Sequence, residues 1–157
     1  GMRRIFWSSW SQKRAVQKKN RNLVAGGVML LRVNPEIAVE YDEKGIVTGV
    51  TARNDDAEVI LSECSDLTGK NAQEVVPLLV EAIGKAGYFT EIEGGEYRRI
   101  TLEIEEDSGS PEEEDFFKEV IREVQDCVNR NNWKAPLNVE NKSDYVIIDY
   151  DDALRTA

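Results

Sequence analysis

With 157 residues, 41% of them hydrophobic and 32% charged, the chain can bury one core and is not a disordered segment, so it reads as a single domain. Histidine is absent, which excludes Ser-His-Asp and Cys-His catalysis and removes the commonest zinc ligand. The net charge of −10 is lopsided: residues 1–35 carry +8 and no acid, and the remainder carries −18, the pattern of a basic arm on an acidic globule.

Residues 1–26 are that arm, or a juxtamembrane segment. Arg3, Arg4, Lys13, Arg14, Lys18, Lys19 and Arg21 accompany Ile5, Phe6, Trp7 and Trp10. Indole rings sit at headgroup level while Lys and Arg meet anionic lipid, so residues 3–21 could dock on a membrane surface or a partner; a local packing element or a flexible arm is the plainer reading of the same residues. Nucleic acid is not expected as a partner, because the acidic remainder repels phosphate. No run of about 18 apolar residues is present, so no transmembrane helix is expected, and no signal peptide is visible.

Residues 27–150 form the domain. An apolar run from Gly27 reaches a polar break, Val33-Asn34-Pro35-Glu36, and Ile37-Ala38-Val39-Glu40-Tyr41 leaves it with period-two alternation, so two neighbouring strands meet at a tight turn. Asn before Pro is a turn former, since the residue before proline is pushed out of the helical region and Pro35 has no N–H for a ladder. The same dipeptide has a chemistry of its own. An Asn side-chain amide can attack its own carbonyl carbon, close a succinimide and expel the proline nitrogen; orientation alone supplies effective molarities of roughly 10⁵ M in such reactions.

Asp42-Glu43-Lys44-Gly45 predicts a hairpin turn with glycine left-handed, followed by a third strand in which Gly49 marks a bulge or a close approach. Asn54 or Asp55 caps a short helix over 56–63; the acids there lack the alternating oxygens of a calcium loop. Asn71 with Glu74 opens a longer helix that ends before Gly87 and is kinked, or delayed, by Pro77. Residues 97–105 predict a strand with Ile100, Leu102 and Ile104 inward and Arg99, Thr101, Glu103 and Glu105 in water. Ser110-Pro111-Glu112-Glu113 predicts the start of a second long helix, its stripe Phe117, Val120, Ile121, Val124 and Val128 lying across the sheet. Residues 137–139 and 145–150 predict one or two closing strands, and 151–157 a flexible tail.

The expected architecture is therefore α+β: an antiparallel or mixed sheet of about five strands in the order β-β-β-α-α-β-α-β, covered by two long helices and one short helix. Cys64 and Cys127 show no metal spacing and read as buried free thiols, with a bridge as the alternative in an oxidising compartment. Neither a cofactor nor a metal is expected, and no nucleophile-base pair for a conventional enzyme is visible.

Five stretches occur in one order: Met29-Leu30-Leu31-Arg32-Val33-Asn34-Pro35-Glu36-Ile37, Gly45-Ile46-Val47-Thr48-Gly49-Val50, Asn54-Asp55-Asp56-Ala57, Leu67-Thr68-Gly69-Lys70 and Ala86-Gly87-Tyr88. In this the chain resembles the extracytoplasmic domain of RsgI-type anti-sigma factors, which have a strand ending in Asn-Pro-Ser, a hairpin, an Asn-Asp-Asp-Gly element, a Leu-x-Gly-Lys helix start and a later Gly-Tyr. Here Glu36 stands for the serine and Ala57 for the glycine. The resemblance implies at most a single-turnover autoproteolysis between Asn34 and Pro35, flanked by Val33 and Glu36, the two pieces staying associated. It further implies a signalling domain on the extracytoplasmic face of the cell membrane, a sigma factor bound through a cytoplasmic part outside these residues, and membrane proteases acting on the protein. The alternative is a non-cleaving interaction or ligand-sensing module of the same fold.

Overall fold

The computed structural model describes residues 26–148; the basic arm, the tail and the last two residues of the expected closing strand lie outside the described residues. β1 (Gly27–Arg32), β2 (Glu36–Tyr41) and β3 (Val47–Ala52) come first, then α1 (Asp55–Ser62), α2 (Ala72–Lys85), β4 (Ile100–Ile104), α3 (Phe116–Arg130) and β5 (Leu137–Asn141). The sheet order is β3-β2-β1-β4-β5, antiparallel except for the parallel pair β4 and β5. The fold is the expected α+β, with a mixed sheet. β1 is its central strand, laddered to β2 from Gly27↔Tyr41 to Arg32↔Glu36 and to β4 from Met29↔Ile104 to Arg32↔Thr101.

Alternation decides the faces. Met29, Leu31, Ile37, Val39, Leu102 and Ile104 point to one side and are buried with Val75, Val76, Leu79 and Val80 of α2 and Val120, Ile121 and Val124 of α3. Each such aliphatic side chain stabilises the fold by about 1.5–3 kcal/mol, which holds α2 and α3 on this face. On the other face Glu103 is buried rather than wet, because Arg32 at 2.8 Å and Lys142 at 3.4 Å close over its carboxylate. Periodicity assigned Glu103 to that face correctly but could not show the two cations that cover it.

The turns follow the side chains that write them. Asp42 Oδ1 accepts from the N–H groups of Lys44 and Ile46, and Gly45 takes a φ of 78° with the Phe116 ring against it. The bulge expected at Gly49 lies beside it: Glu40 pairs with Gly49 and Tyr41 with Val47, which leaves Thr48 without a partner in the ladder. Asn71 caps α2 by accepting from Gln73 N–H, so the helix begins at its cap despite Pro77. The Cys127 thiol sits against the Pro77 carbonyl at 3.6 Å. Both cysteines are free, Cys127 buried and Cys64 half-buried, and burial pushes each thiol up from its usual range.

Two expectations fail. The helix written at Ser110-Pro111 begins six residues later, at Phe116: Glu112 N–H donates to the Glu43 carbonyl, and Asp115 takes a left-handed φ of 62°, which interrupts helical propagation. A contact with the β2–β3 turn overrides a good local start signal. Residues 145–148 are not a strand; Asn141 Nδ2 donates to the Val146 carbonyl and turns the chain out of the sheet.

Gly84 faces Trp133, whose ring atoms stand 2.2–2.5 Å from where a Cβ would be. Gly84→Ala should therefore destabilise by about 1–3 kcal/mol through overpacking, measured by urea unfolding, although alanine is the better helix former. Tyr41 is buried between Phe116 and Phe117 and donates to the Gly109 carbonyl at 2.7 Å. Burial raises its pKa well above the ordinary 10.0. A raised acid stabilises the fold in its protonated form, so that contribution is complete below the unfolded pKa and is lost as pH rises beyond about 10. Stability measured from pH 8 upward should fall in the native protein and stay flatter in Tyr41→Phe.

Candidate functional site

The β1–β2 connection is a three-residue loop, Val33-Asn34-Pro35, closed by Val33 N–H donating to the Pro35 carbonyl at 3.0 Å. Pro35 is buried and Asn34 exposed. The meander then returns β3 to the same end of the sheet: Ala52 pairs with Ile37, and Arg53 N–H donates to the Glu36 carbonyl at 2.8 Å. Asn54, the next residue, is thereby delivered to the loop.

The side chain of Asn54 makes three hydrogen bonds. Its Oδ1 accepts from Ala57 N–H at 3.0 Å, capping α1, and from Glu36 N–H at 3.2 Å. Its Nδ2 donates to the main-chain carbonyl of Asn34 at 2.5 Å. One side-chain amide thus grips the peptide groups on both sides of Pro35, an acceptor before it and a donor after it. Because the amide is fixed by the helix cap, it is set before any reaction and needs no reorganisation. The Asn34 carbonyl is the oxygen that becomes negative if its carbon is attacked, and the Asn54 N–H already points at it. Among the described residues the Asn34 side-chain amide has no hydrogen-bond partner, which leaves its nitrogen uncommitted.

The loop opens on a cleft of about 310 Å³ lined by Arg32, Val33, Asn34, Glu36, Asn54, Arg98, Arg99 and Thr101. All four residues named from the sequence, Val33, Asn34, Pro35 and Glu36, therefore lie in this loop or at the start of β2. Glu36 contributes its main chain to the Asn54 grip and is among the residues lining the cleft. Missed from sequence were the grip of Asn54, assigned there only as a helix cap, and the approach of Arg98 and Arg99. A signal for the first existed: in a three-strand meander the residue after β3 must come back beside the β1–β2 loop. Among the described residues no group of His, Cys, Asp and Glu is arranged to hold a metal, and no helix is long and apolar enough to cross a membrane.

Residues 27–149, nearly the whole of the described chain, match the model of the anti-sigma factor RsgI-like central domain. The chain belongs to that family. No curated protein sequence matches it. In this RsgI-like domain the matched region starts with β1 and includes the loop, the Asn54 grip and the Arg98-Arg99 side of the cleft. A sigma factor is accordingly the partner that the family implies in general.

Proposed function

We propose that this RsgI-like domain is a self-clipping signalling module, severed between Asn34 and Pro35 and held together by its own sheet. The Asn54 grip on the Asn34 carbonyl carries this reading. Asn34 Nδ2 attacks the Asn34 carbonyl carbon; the new C–N bond closes a five-membered succinimide, and the electron pair moves onto the carbonyl oxygen, where Asn54 Nδ2 donates. As the carbonyl re-forms, the bond to Pro35 breaks, and the proton lost from Asn34 Nδ2 is replaced, through solvent, on the proline nitrogen. No atom is gained or lost, so the two pieces sum to the mass of the intact chain until water opens the imide.

The clip need not separate the pieces. β1 stays laddered to β2 and β4, with Met29, Leu30 and Leu31 buried, so the N-terminal piece is held by two rows of hydrogen bonds and roughly 5–9 kcal/mol of apolar burial. An unbroken chain cannot release its N-terminal side, whereas a clipped one can when the domain is pulled or locally unfolded. In this reading the domain faces the outside of the membrane, withdrawal of β1 exposes the protein to membrane proteases, and a sigma factor bound elsewhere in the protein is freed.

Electrophoresis of the purified chain tests the proposal. Two bands under denaturing conditions, breaking after Asn34, together with one peak of full size on native gel filtration, are expected. A single intact band after prolonged incubation supports instead a non-cleaving interaction module of this fold.

A further inference from the structure

We infer that the cleft beside the Asn34–Pro35 bond binds a polyvalent oxyanion through Arg32 at the end of β1 and Arg98 and Arg99 ahead of β4. The regulatory part of this inference rests on the clipping proposed above; the binding part does not. Charge makes the cleft stand out. The described residues hold 12 Lys and Arg against 27 Asp and Glu, yet three of those 12 line one cleft, which has a single acid, Glu36. Arg32 is already answered by Glu103 and Glu140, so the crowded charge is that of Arg98 and Arg99, which is unfavourable beside Arg32 unless an anion joins them.

The guanidinium groups are also prepared for a ligand. Arg32 is steadied by Glu103 at 2.8 Å and Glu140 at 3.6 Å. Arg98 lies over the Tyr88 ring at 5.4 Å and donates to the Tyr88 carbonyl at 3.2 Å. Arg99 is exposed, and among the described residues it has neither ion pair nor hydrogen bond. The two oriented guanidinium groups lose little further freedom on binding, the uncommitted one is free to close on the ligand, and their planar forks match phosphate or carboxylate oxygens in pairs. Thr101 lines the same wall. The volume of about 310 Å³ suits an anion of pyrophosphate or tricarboxylate size.

The positions give binding a consequence. Arg32 precedes the scissile bond; Arg98 and Arg99 follow it. An anion shared between them ties the N-terminal piece to the rest and opposes withdrawal of β1, so the signal would be gated by an ionic ligand as well as by force.

Calorimetric titration of pyrophosphate into the full chain at fixed ionic strength tests the binding. Arg99→Gln and Arg98→Gln should each weaken it about tenfold, the loss of one charge-assisted pair, whereas the double change Lys18→Gln, Lys19→Gln in the arm should leave it within about twofold. No binding at millimolar pyrophosphate, or a loss that follows the arm lysines instead of the arginines, overturns the inference. On clipped protein in moderate urea, pyrophosphate should slow release of residues 1–34, and Arg99→Gln should abolish the slowing; unchanged release overturns the regulatory part. Intact chains that still bind pyrophosphate would sink the clipping proposal alone.

Discussion

Asn34→Ala should leave one unbroken chain under denaturing conditions, however long the protein is kept. Alanine removes the attacking nitrogen and nothing else that the loop needs: Asn34 is exposed, has no positive φ, and the bond from Asn54 goes to its main chain. A substitution at such a surface position changes the stability of the fold by about 0.5 kcal/mol or less, so the variant should fold, and as an unbroken chain it should melt no lower than the clipped native protein. Asn34→Gln sharpens the test, because its amide sits one carbon further out and must close a larger ring; it should clip far more slowly than Asn34. If Asn34→Ala is cut at the same place, the nucleophile is not this side chain.

The second large effect is expected at Asn54. Asn54→Asp keeps an oxygen for the Ala57 and Glu36 N–H groups, so α1 remains capped, but it replaces the N–H donor facing the Asn34 carbonyl with a second acceptor. Removing one preorganised donor from a developing oxyanion costs about 10²–10³ in rate, and here a negative carboxylate oxygen stands in its place. Clipping of freshly refolded Asn54→Asp should be slower by at least that factor while its helix content is retained. Asn54→Ala loses the donor and the cap together and should both clip slowly and lose about 1 kcal/mol of stability. Equal clipping in native and Asn54→Asp protein would show that the grip only shapes the loop.

Much of this architecture was legible because it is written locally. The periods of β1 to β4, the Asp42-Gly45 turn, the Asn71 cap and the Gly87 terminus each depend on residues within a few positions of one another, and the structure places all of them where the pattern does. The helix start that the pattern misplaced depends on a distant partner. Ser110-Pro111 is a sound helix start in isolation, but the hydrogen bond from Glu112 to Glu43 and the left-handed Asp115 hold that segment against another loop. The site divides in the same way. Asn34 and Pro35 could be singled out because their chemistry is contained in the dipeptide. The second role of Asn54 is not contained in its neighbours and follows only from the meander that pairs β3 with β2, and Arg98 and Arg99 reach the loop only through the pairing of β1 with β4.

The central claim is that one bond breaks by its own side chain while the strand before it stays in place. Mass spectrometry of a single sample, sprayed first under native and then under denaturing conditions, tests it most directly. One native species at the mass of the whole chain is expected, and two denatured species, residues 1–34 and 35–157, whose masses sum to that of the chain or, once the imide has opened, to that mass plus one water. A denatured spectrum with only the intact chain, or with a cut elsewhere than after Asn34, would contradict it.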